Sequence, residues 1–203
     1  MPALVSAVLA VVVGTLLAAA TKTREEIVAT VDVTPITRDA MNGYAAVLAD
    51  KGVKATSSVV LESLINQALV EAEARREGVH IDDRAVDAAV AQWERLGASR
   101  TSLDRSGGIA ALRERERLFL LFEAVKRSVI AVTVTDEEVV AAQRRDPLYA
   151  SLAVGDISPA ARGDLLASRR QAAWIAWLAR QRACSSITII DPSLTLAEPG
   201  PCR

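Results

Sequence analysis

The sequence is poor in the side chains on which most catalytic and metal sites depend. It holds one histidine and two cysteines in 203 residues, and aromatic residues make up only 3% of it. A zinc-type site needs about four ligands drawn mainly from these residues, so the composition leaves little for one. The net charge of −1 gives no electrostatic basis for binding nucleic acid or anionic lipid surfaces. We therefore expect no cofactor, no metal and no nucleic-acid partner.

Sequence patterns for nucleophilic, acid–base or phosphate chemistry are missing as well. His80 has no nearby triad pattern, and a lone histidine before a helix is typical of an exposed turn. The acidic residues at 82–83 and 136–138 precede helical patterns, where carboxylates satisfy free amides and favour the helix dipole. The glycines at 107–108 lack the Lys-Ser/Thr of a phosphate-binding loop. No catalytic residue is therefore predicted.

The N-terminal stretch is the longest apolar run in the sequence. Residues 3–20, ALVSAVLAVVVGTLLAAA, carry no charge, and such a run is about long enough to span a bilayer. The three alanines at 18–20 fit the small-residue pattern before a signal cleavage site. Residues 1–20 are therefore predicted to be a cleaved signal peptide or an uncleaved membrane anchor, with a buried core helix as the alternative. Residues 21–26 are predicted to be a polar linker.

Export would place the two cysteines in an oxidising compartment. A disulfide between Cys184 and Cys202 would tie the tail back to the end of the last predicted helix. Two free or separately oxidised thiols are the alternative, and the sequence leaves both open.

Two strand-like segments stand at opposite ends of the remaining chain. Residues 27–33 alternate between two faces and are rich in β-branched side chains, which predicts a half-buried strand. Pro35 is expected to end this strand because it lacks an amide hydrogen, and Thr37 is expected to cap the next helix. A lone strand is unstable, and its best partner is SITII at residues 186–190. The two ends are therefore predicted to pair.

Helical patterns fill the chain between these ends. Apolar residues recur at the i, i+3, i+4 spacing of a helix with one buried face. We predict a mostly α-helical domain at 27–194, a bundle of about six helices closed by a small two-stranded β-ribbon. A tail follows at 195–203, and the whole segment after the last strand, DPSLTLAEPGPCR, is expected to be loose. The predicted helices cover about residues 39–51, 57–77, 83–96, 109–128, 136–145 and 159–183.

A short extended segment, followed by a turn and then a helix, occurs twice in the sequence. Residues 79–89, VHIDDRAVDAA, correspond position by position to residues 132–142, VTVTDEEVVAA. Thr135 and Glu138 are expected to form a capping box in the second copy. Two copies are too few for a solenoid, so they are interpreted as two similar helix starts. Between them, RERER at 113–117 is interpreted as a solvent-facing turn and not as a binding patch.

The order of these parts resembles a known family. The pattern ATV-x-x-x-PIT at 29–37 is followed by LESLINQALVEAEARREGV at 61–79, VTDEEV at 134–139 and ITIIDPSL at 187–194. Together they resemble the N-terminal chaperone domain of the SurA/PrsA-type extracytoplasmic foldases, which is related in fold to the peptide-binding part of trigger factor. The resemblance is a series of weak matches in the correct order and contains no catalytic signature.

Two features depart from the family pattern. The family has an Asn-Gly turn before PIT, whereas Asp32, Val33 and Thr34 occupy that place here. The family also carries a parvulin-type prolyl isomerase domain of about one hundred residues before the last long helix, where this chain has only residues 146–158. The resemblance therefore implies the chaperone domain without the enzyme.

The function implied is an extracytoplasmic holdase-type chaperone or assembly factor that binds unfolded or nascent exported polypeptides, with membrane contact only through residues 1–20 if they remain attached. The alternatives are a minimal or degenerate peptidyl-prolyl isomerase and a membrane-anchored subunit with one dedicated partner. Aromatic side chains are the candidate peptide contacts because they give large contact areas, although each is also a candidate core anchor. These candidates are Trp93, Phe119, Phe122, Trp174 and Trp177.

Overall fold

The fold was analysed in a computed structural model. It describes residues 25–50, 52–95, 108–149, 156–196 and 200–202. The predicted signal peptide or anchor at residues 1–20 lies outside the described residues, as does most of the predicted linker. Within the described ranges, no helix has the length and apolar character needed to cross a membrane.

The described residues form six α-helices and a small antiparallel sheet, which confirms the predicted mostly α-helical class. Each predicted helix is present at its expected place. The elements in chain order are β1 (Ile27–Val31), β2 (Thr34–Thr37), α1 (Arg38–Asp50), α2 (Ser57–Glu77), α3 (Asp83–Arg95), α4 (Gly108–Val129), α5 (Asp136–Arg145), a 3₁₀ turn (Pro147–Tyr149), α6 (Pro159–Cys184) and β3 (Ile187–Ile189).

The two ends of the described chain pair, as the sequence predicts. Strand β1 runs antiparallel to β3, with Val31 opposite Ile187. Beyond this pair, the Asp32 amide donates to the Ser186 carbonyl at 2.7 Å. The Ser186 amide in turn donates to Asp32 Oδ1 at 2.8 Å. Residues more than 150 positions apart therefore share a closed hydrogen-bonded unit.

The predicted two-stranded ribbon is wrong in one respect, because the sheet has three strands in the order β2-β1-β3. Pro35 does not end the pairing but lies within β2, opposite Thr30. An edge strand tolerates proline, since the missing amide hydrogen faces away from the ladder. A tight turn also forms without Asn-Gly: Asp32 takes φ 50°, a left-handed conformation that aspartate tolerates better than most residues.

Local signals set the helix ends. The Thr37 hydroxyl accepts from the Ala40 amide at 3.1 Å, and Ser158 caps α6 with proline at its first turn. Gly78 ends α2 in the left-handed conformation, φ 66°. Thr135 and Glu138 form the predicted capping box. Short-range capping therefore accounts for these helix ends.

Helix α2 connects two hydrophobic clusters. Its first half packs against the sheet and α1, and its second half packs against the C-terminal halves of α4 and α6. The buried residues of the sheet cluster are Val28, Ala29, Val31, Ile36, Met41, Val60, Leu61, Ile65, Ala68, Leu69 and Leu194. Those of the second cluster are Val70, Ala74, Val125, Trp174, Trp177 and Leu178.

Two short helices pack beside the N-terminal halves of the long ones, α3 on α4 and α5 on α6. They are the helices of the two similar sequence copies. Val86 and Val139, which correspond in those copies, are both fully buried. In each copy an aspartate of the first turn pairs with an arginine of the long helix. These pairs are Asp83 with Arg117 and Asp136 with Arg162.

The segment after β3 is not loose over its described first part. Leu194 is buried in the sheet cluster, and Leu196 packs against the same cluster. Cys202 forms a disulfide with Cys184 at the end of α6. The expectation of a loose tail is therefore wrong for residues 191–196, because two leucines in an otherwise polar stretch find apolar partners across the fold.

Candidate functional site

Three of the five aromatic candidates belong to the core. The Trp174 and Trp177 rings stack, with centroids 4.8 Å apart and an interplanar angle of 8°. The Phe122 ring meets Trp174 edge-on at 6.3 Å. Both tryptophans are buried and Phe122 is partly buried in the second cluster. In this conformation they join α4 to α6 and offer little surface to a peptide.

The other two aromatic candidates lie on the surface of the α3 and α4 pair. Trp93 is 45% exposed and Phe119 is 59% exposed, and Ile109 at the start of α4 is 48% exposed. On α4, Ile109, Glu116 and Phe119 share one side of the helix with the buried Leu112, because their spacings are close to whole turns. We call the three exposed side chains Trp93, Ile109 and Phe119 the α3–α4 apolar surface.

A hydrogen bond fixes the tryptophan of this surface. Trp93 Nε1 donates to Glu116 Oε1 at 2.9 Å. The indole N–H is therefore satisfied while much of the ring remains in contact with solvent. An aromatic ring with its polar atom already paired favours contact with apolar groups.

Beneath the surface, apolar packing and ion pairs hold α3 to α4. Val90 of α3 meets Leu112 of α4 in a small separate cluster. Arg113 pairs with Asp87 of α3. Arg117 likewise reaches Asp83 at the start of α3. Glu114 of RERER faces solvent, as the sequence predicts, whereas Arg113 and Arg117 are partly covered because the partner helix α3 lies against them.

A pocket of about 220 Å³ opens on another side of α4. Its lining combines apolar side chains with charges of both signs. His80 belongs to this lining and is exposed, in agreement with the sequence prediction of an exposed turn. The pocket is smaller than the roughly 300–1,000 Å³ typical of small-molecule sites. Its lining residues are Glu71, Ala74, Arg75, Val79, His80, Glu114, Arg117, Leu118 and Leu121.

Two carboxylates are held strongly in the ionised state. Hydrogen bonds from the Arg169 guanidinium, and then from the Thr135 amide, lower the pKa of Glu138 to about 2. Hydrogen bonds from Arg38, and then from Ser193, lower the pKa of Asp191 to about 2. Each arginine belongs to a different element from its carboxylate, so these groups fasten elements together. A carboxylate with so low a pKa is a poor proton acceptor at neutral pH.

The described residues contain no group of three or more histidine, cysteine or acidic side chains placed to hold a metal ion. A comparison with protein-family models found no match, and neither did a comparison with curated proteins.

The sequence pointed to some of these features and missed others. Trp93 and Phe119 were candidates because of their residue type alone. The pocket beside His80 was not predicted, since its walls come from α2, α4 and the turn after α2. The contacts of the segment after β3 were missed because DPSLTL has no periodicity long enough to indicate burial.

Proposed function

We propose that the protein is a holdase-type chaperone or assembly factor that acts outside the cytoplasm on unfolded polypeptide segments. The α3–α4 apolar surface carries this proposal. Three large apolar side chains are exposed there on one helix pair, and exposed apolar patches mark interaction sites. The apolar run at residues 3–20 and the resemblance to SurA/PrsA-type chaperone domains support the same function.

Binding would be reversible and tolerant of sequence. An apolar client side chain would cover the exposed faces of Trp93 and Phe119, while Glu116 keeps the indole in place. So small a surface gives weak affinity, which suits a chaperone that must release its clients. The near-zero net charge would add no strong preference for acidic or basic segments.

The test is suppression of aggregation of a chemically denatured client by the purified full chain. Phe119→Ser should reduce suppression several-fold, because it removes the most exposed ring of the surface. Ile175→Ser is the matched control: Ile175 is 55% exposed but lies on α6. Equal suppression by both variants, or none by the wild type at several-fold molar excess, would contradict the proposal.

Two further assays separate the alternatives. Acceleration of proline-limited refolding at catalytic amounts would indicate an isomerase and overturn the proposal. Capture of one stoichiometric partner from an extracytoplasmic extract, with no other clients, would indicate a dedicated subunit.

A further inference from the structure

The segment after β3 begins with a turn, in which the Leu194 amide donates to the Asp191 carbonyl at 3.1 Å, and then packs against the fold. We call residues 191–196 the C-terminal strap. Leu194 is 7% exposed, Thr195 is exposed and Leu196 is partly buried. After the turn, the two leucines at alternate positions therefore face the apolar surface, and the threonine between them faces solvent.

The surface under the strap is the sheet cluster. Leu194 and Leu196 pack against a cluster formed by the sheet, α1 and the first half of α2. The Thr195 hydroxyl lies 3.5 Å from the Ser58 hydroxyl at the start of α2. The strap therefore covers apolar surface of the sheet and these two helices, and we call the part of that surface under the strap the strap cleft.

The strap is tied at both ends. At its start, Asp191 pairs with Arg38 at the beginning of α1. Beyond its end, Cys202 is bonded to Cys184, and both cysteines are exposed to solvent. The disulfide encloses 18 positions of chain, including β3 and the strap. A reductant therefore has access to the tie that holds the far end.

We propose that the strap cleft is a second peptide-binding site, occupied by the chain's own strap, and that the disulfide between Cys184 and Cys202 controls its release. The ligand class is a short peptide segment with leucine-like side chains at alternate positions, as in Leu194-Thr195-Leu196. This proposal does not rest on the α3–α4 apolar surface.

The release step is thiol–disulfide exchange with a dithiol. One thiolate of the dithiol attacks a sulfur of the Cys184–Cys202 bond, which forms a mixed disulfide and frees the other cysteine as a thiol. The second thiolate then closes the oxidised dithiol and frees the first cysteine. Two electrons and two protons pass to the protein, and the dithiol is oxidised.

Reduction shifts the strap toward its detached state because a detached strap fixed at both ends has little conformational freedom. Opening a closed loop of roughly this length changes the equilibrium constant between the attached and the detached strap by a factor on the order of 100. The strap remains attached to β3 after reduction and still competes for the strap cleft. An added peptide can therefore bind only during the time that the strap is detached.

The probe is a fluorescent peptide with the sequence of residues 190–196, IDPSLTL, followed by fluorescence anisotropy with the full-length protein. The reduced wild type and the Cys202→Ser variant should bind it, and the oxidised wild type should bind it at least tenfold more weakly. A peptide with both leucines replaced by aspartate is the control and should not bind. Equal binding by oxidised and reduced protein, or no binding by either, would overturn the proposal.

A second variant keeps the test independent of redox chemistry. Leu196→Asp weakens the strap with the disulfide intact, so its oxidised form should bind the peptide more tightly than the oxidised wild type. Ile175→Ser changes an exposed residue of α6 that belongs to neither proposed site, and it should leave peptide binding unchanged. Hydrogen exchange at residues 191–196 should accelerate on reduction, and unchanged protection there would refute release of the strap.

Discussion

At the scale of single residues, the pairing of the two ends depends on a few positions in β1. Val31 is 2% exposed and lies in the sheet cluster opposite Ile187 of β3. Val33, two residues later, projects from the turn and is 94% exposed. Two valines in one short segment therefore differ in burial. The same substitution at both positions separates the effect of burial from the effect of the local sequence.

Val31→Asp should destabilise the domain by about 3 kcal/mol or more, because it buries an unpaired charge in the sheet cluster. For a chain of this length that corresponds to a fall in melting temperature of roughly 10 °C, measured by circular dichroism. Val33→Asp is the control and should change the melting temperature little. If both variants melt like the wild type, the sheet does not hold the two ends as described.

At the scale of elements, replacing glycine with alanine should have opposite effects on stability at two sites that differ in backbone conformation. Gly78 ends α2 at φ 66°, whereas Gly163 lies inside α6, and an added methyl group would meet no neighbouring atom within 4 Å at either site. Any effect of alanine is therefore a backbone effect. Gly78→Ala should lower the free energy of unfolding by about 1 kcal/mol, and Gly163→Ala should raise it by roughly 0.5–1 kcal/mol. Urea denaturation measures both, and a loss of stability in both would contradict this account.

Elements defined by short-range chemistry were predictable from the sequence. The ends of α2 and α5 follow from Gly78 and from the Thr135–Glu138 capping box, whose signals lie within a few residues. Strand β2 was missed because Pro35 prevents hydrogen bonding along only one edge of its own strand. The sequence does not show that the other edge pairs with β1. The partners of Arg113 and Arg117 depend on how α3 lies against α4, which short-range patterns leave open.

The candidate site likewise combines features that the sequence predicts locally with features that depend on tertiary contacts. Residue type identified Trp93 and Phe119, but it equally identified Trp174 and Trp177, which the structure buries. Helical spacing places these two tryptophans on adjoining faces and is compatible with either outcome. Their burial follows from the approach of α4 and α2 to α6, a tertiary contact that no local pattern specifies.

At the scale of the whole molecule, stability should fall as acidification passes through the ordinary range of carboxyl pKa values. The pKa of Glu138 and that of Asp191 are lowered from 4.5 and 3.8 to about 2 in the folded state. The unfolded chain therefore takes up protons first as the pH falls. The stabilisation from both groups is complete above about pH 5 and is lost between about pH 5 and pH 2.

Melting temperature measured against pH checks this expectation. Glu138→Gln should lower the melting temperature near pH 7 and make it depend less on pH between about pH 5 and pH 2. Glu137→Gln changes the exposed neighbouring carboxylate and is the matched control. A pH profile for Glu138→Gln that parallels the wild type would show that the pair with Arg169 contributes nothing to acid sensitivity.

The pairing of β1 with β3 also has a consequence for biosynthesis. The ribosome makes β1 long before β3, since Asp32 and Ser186 are 154 positions apart. During synthesis, β1 therefore emerges well before its partner β3 exists. The α3–α4 pair needs only neighbouring residues and is free to form early, whereas the sheet waits until β3 has been made. Completion of the sheet therefore reports that synthesis has passed residue 189, and a chain truncated before residue 187 would leave β1 as an exposed edge.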